Sequence, residues 1–244
     1  MKIYHLATVA ALTLSSASLA ADRPAKKAVV PAPVETSKSY NWTGLYVGMN
    51  GGYGTSHSEI SDVQFGTGVL YPYPDEGGKF KMMGSLIGGQ LGYNYQWDQV
   101  VFGLEADLDY THKKGTYAFP EPNPINLNGK IQAIGTARAR LGYAFDKVLV
   151  FATGGIAYAT TKATLTSVAP PVVTASSTKA YTGFAVGGGV EYALSQNWIV
   201  KADYLHINFG KQSNAYLFTG GVAEAVADTS LKTDLFRIGL NYKF

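Results

Sequence analysis

Phe102-Gly103-Leu104-Glu105-Ala106-Asp107-Leu108-Asp109-Tyr110 decides the fold. Every second residue is apolar, with a ring at each end and Leu, Ala and Leu between, and the alternate positions carry glycine and three acids. A period of two is the signature of a β-strand with two unlike faces. Thr136, Arg138 and Arg140 alternate in the same way with Ala137, Ala139, Leu141, Tyr143 and Phe145. Only the two-residue turn Asp146-Lys147 then precedes a further strand. Read outward from this pair, the pattern recurs until eight strands are placed.

The first strand sets Leu45, Val47, Met49 and Tyr53 against Tyr46, Gly48, Asn50 and Gly52, and the second sets Ile87, Leu91, Tyr93, Tyr95 and Trp97 against Gly88, Gln90, Gly92 and Asn94. The apolar side of the fourth is extended back to Ile131 and Ala133. The fifth carries Val148, Val150, Ala152, Ile156 and Tyr158 on one side, although Leu149 and Phe151 leave its register open. Phe184, Val186, Val190 and Tyr192 mark the sixth, Trp198, Val200, Ala202 and Tyr204 the seventh, and Phe236, Ile238, Leu240, Tyr242 and Phe244 the eighth. Short turns (Asp98-Gln99, Asp146-Lys147, Ser195 to Asn197) alternate with polar stretches of roughly 20 residues near 54–80, 112–130, 161–179 and 210–232. That alternation is the plan of an antiparallel up-and-down transmembrane β-barrel, with short periplasmic turns and long extracellular loops.

A soluble barrel with its apolar face inward would alternate in the same way. Two features favour lipid. Trp97, Phe102, Phe145, Trp198, Tyr242 and Phe244 gather at the short-turn ends, and Tyr53, Tyr110, Tyr158 and Tyr204 towards the long connections, as two girdles. The polar faces also carry charges of both signs: Glu105, Asp107, Asp109, Glu191 and Asp203 against Arg138, Arg140, Lys201, Arg237 and Lys243. An arginine facing the bilayer midplane costs about 2–4 kcal/mol, whereas inside a narrow barrel it can pair with a carboxylate. Eight strands leave a lumen just wide enough for side chains to fill it. The charges are therefore expected to plug the lumen and suppress conductance, with Gly48, Gly92, Gly142, Gly187, Gly189 and Gly239 making room among them.

Composition agrees. The chain has 244 residues, a net charge of +3, 28 glycines, 17 tyrosines and no cysteine, which excludes disulfides, thiolate metal sites and a cysteine nucleophile. Residues 1–20 read as a cleavable secretory signal, with Lys2, an apolar run from Leu6 to Leu14, and Ser18-Leu19-Ala20. Residues 21–39, with Pro24, Pro31 and Pro33, read as a flexible periplasmic linker, and 40–244 as the barrel. The small positive excess, without a basic cluster, gives no case for nucleic acid. No phosphate loop, H-E-x-x-H or G-x-S-x-G occurs, so no enzyme is predicted. His206 with Ser213 is the one arrangement to weigh against that, as a lipid-modifying pair at the outer rim.

Asn41-Trp42-Thr43-Gly44-Leu45-Tyr46-Val47-Gly48 and Gly51-Gly52-Tyr53-Gly54 resemble the first strand of the small outer-membrane immunogenic, porin-family barrels of α-proteobacteria. Gly88-Gly89-Gln90-Leu91-Gly92-Tyr93-Asn94, Gly135 to Gly142 and Thr153-Gly154-Gly155-Ile156-Ala157-Tyr158 extend the resemblance over about 42–244. It implies a monomeric surface antigen of the outer membrane, surrounded by outer-membrane lipid and lipopolysaccharide and met by host surface or immune molecules. Arg237-Ile238-Gly239-Leu240-Asn241-Tyr242-Lys243-Phe244 looks like the signal read by the outer-membrane assembly machinery, through Gly239, Tyr242 and Phe244. The family also includes haem-binding members, which makes His57 and His112 on the first two outer loops, with Tyr71, Tyr73, Tyr117 and Tyr216, the alternative ligand set for a haem receptor. A narrow pore is the other alternative.

Overall fold

The computed structural model describes residues 39–65, 79–118, 125–167, 174–217 and 224–244. The signal and most of the linker lie outside them, as do Tyr71 and Tyr73. Eight strands follow in order: β1 (Gly44–Phe65), β2 (Lys79–Trp97), β3 (Val100–Ala118), β4 (Ile125–Phe145), β5 (Val148–Ser167), β6 (Thr174–Ala193), β7 (Trp198–Leu217) and β8 (Glu224–Lys243). Each pairs antiparallel with its sequence neighbour, and β8 closes on β1 to complete the barrel. Closure leaves no free edge between the two girdles, which a sheet in hydrocarbon requires.

The strands are 19–22 residues long, about twice what a tilted strand needs to cross a membrane. This corrects the expected loops: most of the four long polar stretches is strand, continuing past the outer girdle. The short turns are tight because Asp98 and Asp146 each adopt a φ of 53°, a conformation that an acid with a short polar side chain tolerates. At the third turn, Ser195 Oγ accepts the Trp198 amide at 3.1 Å.

The apolar faces point outward. Leu104, Leu108, Ile156, Phe184 and Ile238 are exposed on the outer wall, bounded by the exposed rings of both girdles. From Phe102 to Tyr110 is about 27 Å along the strand, or about 20 Å of depth at a tilt near 40°, which with the rings matches a lipid-facing band about 25 Å tall. Rings on adjacent strands touch across the girdles: Trp198 and Tyr242 at 5.2 Å, and Tyr204 and Phe236 at 4.9 Å between centroids.

Cross-strand register settles three details. Leu149 and Phe151 face inward and Val150 outward, which resolves the fifth strand. Ile131 was expected among the lipid-facing residues, but the irregularity at Ile131/Ala133 turns it into the interior, beside Ile134 and Lys113, which keep the inward parity of Thr136 and Asp109. β6 and β7 pair only from Phe184↔Asn208 to Ala193↔Ile199, so this seam stops short of the neighbouring ones.

Inward glycines make the filling fit. A Cβ on Gly92 would lie 2.3 Å from Tyr46 Oη, whereas one on outward-facing Gly89 would meet nothing closer than 3.8 Å. Gly92→Val is therefore expected to lose about 1–3 kcal/mol by overpacking, and Gly89→Val to stay within about 0.5 kcal/mol of the parent. Urea unfolding in vesicles, followed by tryptophan emission, measures both; equal losses would contradict the assigned faces.

Candidate functional site: a charge-filled lumen

Inward alternation on β3, β4, β6, β7 and β8 brings the charges together at one level. Glu105 lies opposite Arg138 on β4, and Asp203 on β7 opposite Arg237 on β8. Arg138 Nη2 donates to Glu105 Oε1 at 2.6 Å and to Asp107 Oδ2. Lys201 Nζ, from the far wall, lies 2.7 and 2.8 Å from the two Glu105 oxygens. Arg237 grips Asp203 with Nη2 at 2.6 Å and Nε at 3.3 Å, and its Nη1 lies 2.9 Å from both Asp107 Oδ1 and Asp109 Oδ2. Arg140 Nη2 is 2.9 Å from Glu191 Oε1, with its guanidinium 4.0 Å from the centre of the Phe151 ring. Neutral groups extend the network: Tyr46 Oη donates to Glu105 at 2.7 Å and accepts from Arg140 at 2.8 Å, Thr136 donates to Asp107 at 2.6 Å, and Gln90 bridges Lys201 and Asn241.

Nine of the ten charges named from the sequence meet in this layer. Lys243 does not. Its Nζ lies at the periplasmic mouth, bonded to the Asn41 carbonyl and 4.3 Å from the centre of the Tyr40 ring, because β8 has reached its end there. Lys113 is a further inward cation: it keeps the parity of Asp109 and Thr111 but lies in the stretch expected to be loop. It is fully buried, and its Nζ lies 3.3 Å from Ser56 Oγ.

Apolar layers close the charged one on both sides. Towards the outside, Met82, Leu86, Ile131, Ile134, Leu205, Ile207 and Leu235 pack across the lumen. Towards the periplasm, Tyr40 and Trp42 fold under the barrel against Val101, Ala144, Leu149, Ala193 and Ile199. Trp42 Nε1 donates to Asp146 O at 3.0 Å, its amide to Gln96 Oε1 at 2.7 Å, and Tyr40 Oη to Gln196 O at 3.1 Å, so two residues tie three turns together. Burial, with Glu191 adding to it, pushes the Tyr40 phenol up to about 12, which keeps it a hydrogen-bond donor.

Among the described residues the alternative sites do not assemble. His57 and His112 are exposed on strands rather than on loops. His57 is level with Lys81, while Thr111, beside His112, is level with Leu86. That places the two rings about 16 Å apart, too far for one iron, and His112 instead packs edge-on against Tyr110 at 5.0 Å. His206 Nδ1 lies 2.7 Å from Asp234 Oδ1, which also accepts from Tyr204 Oη at 2.6 Å. Ser213 is seven residues further along the same strand, about 20 Å away. The side chains of Ser213, Tyr117 and Tyr216 lie outside the described residues. Among the described residues no cluster of His, Asp and Glu could hold a metal ion. At the seam, Gly239 faces inward, Tyr242 and Phe244 face outward, and the Phe244 amide donates to Leu45 O at 2.9 Å.

A closed eight-stranded barrel with a lipid-facing apolar band, two aromatic girdles and an ionic interior defines an integral outer-membrane β-barrel. The family model described as outer membrane protein beta-barrel domain matches residues 7–244, and the chain belongs to that family. It is 34% identical over 264 residues to the 31 kDa outer-membrane immunogenic protein of Brucella melitensis, covering all of both chains. It is 29% identical to the 25 kDa outer-membrane immunogenic protein of the same species, over 100% of this chain and 99% of that one. With the 22 kDa outer membrane protein of Rhizobium leguminosarum it shares 29% identity over 87% of this chain and 82% of that protein. Among solved structures, the outer membrane protein OprG of Pseudomonas aeruginosa matches with a TM-score of 0.52 at 16% identity, over 84% of this chain and 98% of that one, a likeness of fold alone. The protein is an outer-membrane barrel whose homologues include outer-membrane immunogenic proteins.

Proposed function

We propose that the chain is a non-conducting structural barrel, a monomeric wall element that strengthens the outer membrane and carries long strand extensions to the cell surface. The observation that supports this reading is the three-layer filling of the lumen: ion pairs between an outer apolar layer and the Tyr40–Trp42 cap. Ions or sugars crossing it would have to displace side chains held by several charge-assisted bonds each. No enzymatic role is proposed, since the His206–Asp234 pair bonds Tyr204 and has no nucleophile beside it among the described side chains. The extensions are the surface offered to host or immune molecules, in keeping with relatives named for their immunogenicity. Proteoliposome swelling in small sugars tests the reading. Swelling indistinguishable from protein-free liposomes is expected; rates that rise with the amount of barrel would refute it.

A further inference from the structure

Above the outer girdle, the outward-facing positions turn basic in a way that only the register reveals. His57 on β1 lies directly opposite Lys232 on β8 and Lys81 on β2. Lys130 on β4 lies directly opposite Lys114 on β3 and Lys162 on β5. Two lateral rows thus cross six of the eight strands. Side chains facing each other across a ladder lie about 5 Å apart, and like charges so placed repel. No ion pair relieves either row among the described residues. Glu59 lies opposite Lys79 rather than within a row; Asp234, engaged by Tyr204 and His206, also interacts electrostatically with His57, so the Lys114–Lys130–Lys162 row is the one without a neighbouring carboxylate among the described residues.

Height selects the counter-ion. His57 lies four residues beyond Tyr53, and Lys232 four beyond Phe236, which is about 10 Å outside the aromatic ring at the strand tilt of such barrels. That is the headgroup region of the outer leaflet, continuous with the lipid-facing wall below, and lysine stems are long enough to lean towards it. We propose that the two rows bind the phosphate groups of a phosphorylated outer-leaflet glycolipid such as lipopolysaccharide, held by its acyl chains against the apolar band while the lysines take its charge. The occupant is a lipid rather than a free anion because the rows sit on the outer wall directly above that band, where a membrane-anchored phosphate is already concentrated.

The test uses the full-length barrel in phosphatidylcholine vesicles, with lipopolysaccharide added as the probe. Binding is read by native mass spectrometry and by the temperature at which the barrel loses its heat-modifiable gel mobility. Lipopolysaccharide should bind and raise that temperature. The triple variant Lys114→Gln, Lys130→Gln, Lys162→Gln should bind about 100-fold more weakly, since each lysine near an anionic surface contributes about a factor of five. The matching arginine variant should bind like the parent, which separates lost charge from lost fold. Dephosphorylated lipopolysaccharide should bind like the glutamine variant. Equal binding by parent and glutamine variant, or undiminished binding of the dephosphorylated lipid, would overturn the proposal. Inorganic phosphate protecting as well as the glycolipid at equal concentration would overturn the choice of a lipid. A concentration-dependent oligomer abolished by the glutamine changes would instead assign the rows to contact between barrels.

Discussion

Arg237→Met is expected to destabilise the barrel by about 3–5 kcal/mol, the loss seen when one partner of a buried ion pair is removed and its counter-charges stay behind. Arg237 is fully buried and reaches Asp107, Asp109 and Asp203 at once. Asp107 keeps Arg138 at 2.5 Å, and Asp203 keeps it at 3.9 Å, but among the described residues no second cation lies within 4.0 Å of Asp109. Adding Asp109→Asn to Arg237→Met should therefore restore part of the loss, an interaction between the two sites that simple addition would not give. Urea unfolding in vesicles measures all three variants. Additive losses would mean that Arg237 does not hold Asp109.

Trp42→Ala should lose about 3 kcal/mol or more, within the range for removing a buried large ring. The expected spectroscopic signature is sharper. Trp42 is 0% exposed beneath the barrel, whereas Trp97 and Trp198 stand on the outer wall at 68% and 45%. In a Trp97→Phe, Trp198→Phe background, emission should come from Trp42 alone and resist both brominated lipid and aqueous acrylamide. The parent should be strongly quenched by brominated lipid through its two outer rings. Acrylamide reaching Trp42 would show that the cap opens.

The charged layer was legible in the sequence because a strand's period of two sorts residues without reference to the rest of the chain. Glu105, Asp107 and Asp109 share one face of β3, and Arg138 and Arg140 one face of β4, so each set follows from parity within its own strand. Parity fails at an irregularity, which is why Ile131 falls on the lipid side of the simple pattern; Lys113 keeps the inward parity of Asp109 but lies past the girdle, in a stretch that reads as loop. Parity also says nothing about where a lumen ends, so Lys243 was grouped with charges that it does not reach. The Tyr40–Trp42 cap was hidden for a different reason. Its partners are Gln96, Asp146 and Gln196, 54 to 156 residues away, and they meet only when the barrel closes. The long polar stretches looked like loops because, once past the girdle, both faces of a strand meet water or headgroups and lose their contrast. The basic rows needed cross-strand register, which composition does not contain.

The central claim is that the lumen is filled along the membrane-spanning depth. Planar-bilayer recording of the purified, folded barrel in concentrated KCl tests it most directly. A silent bilayer is predicted for the parent, while the same insertion protocol gives steps with an open-channel porin as control. Large, uniform conductance steps from the parent barrel would contradict it.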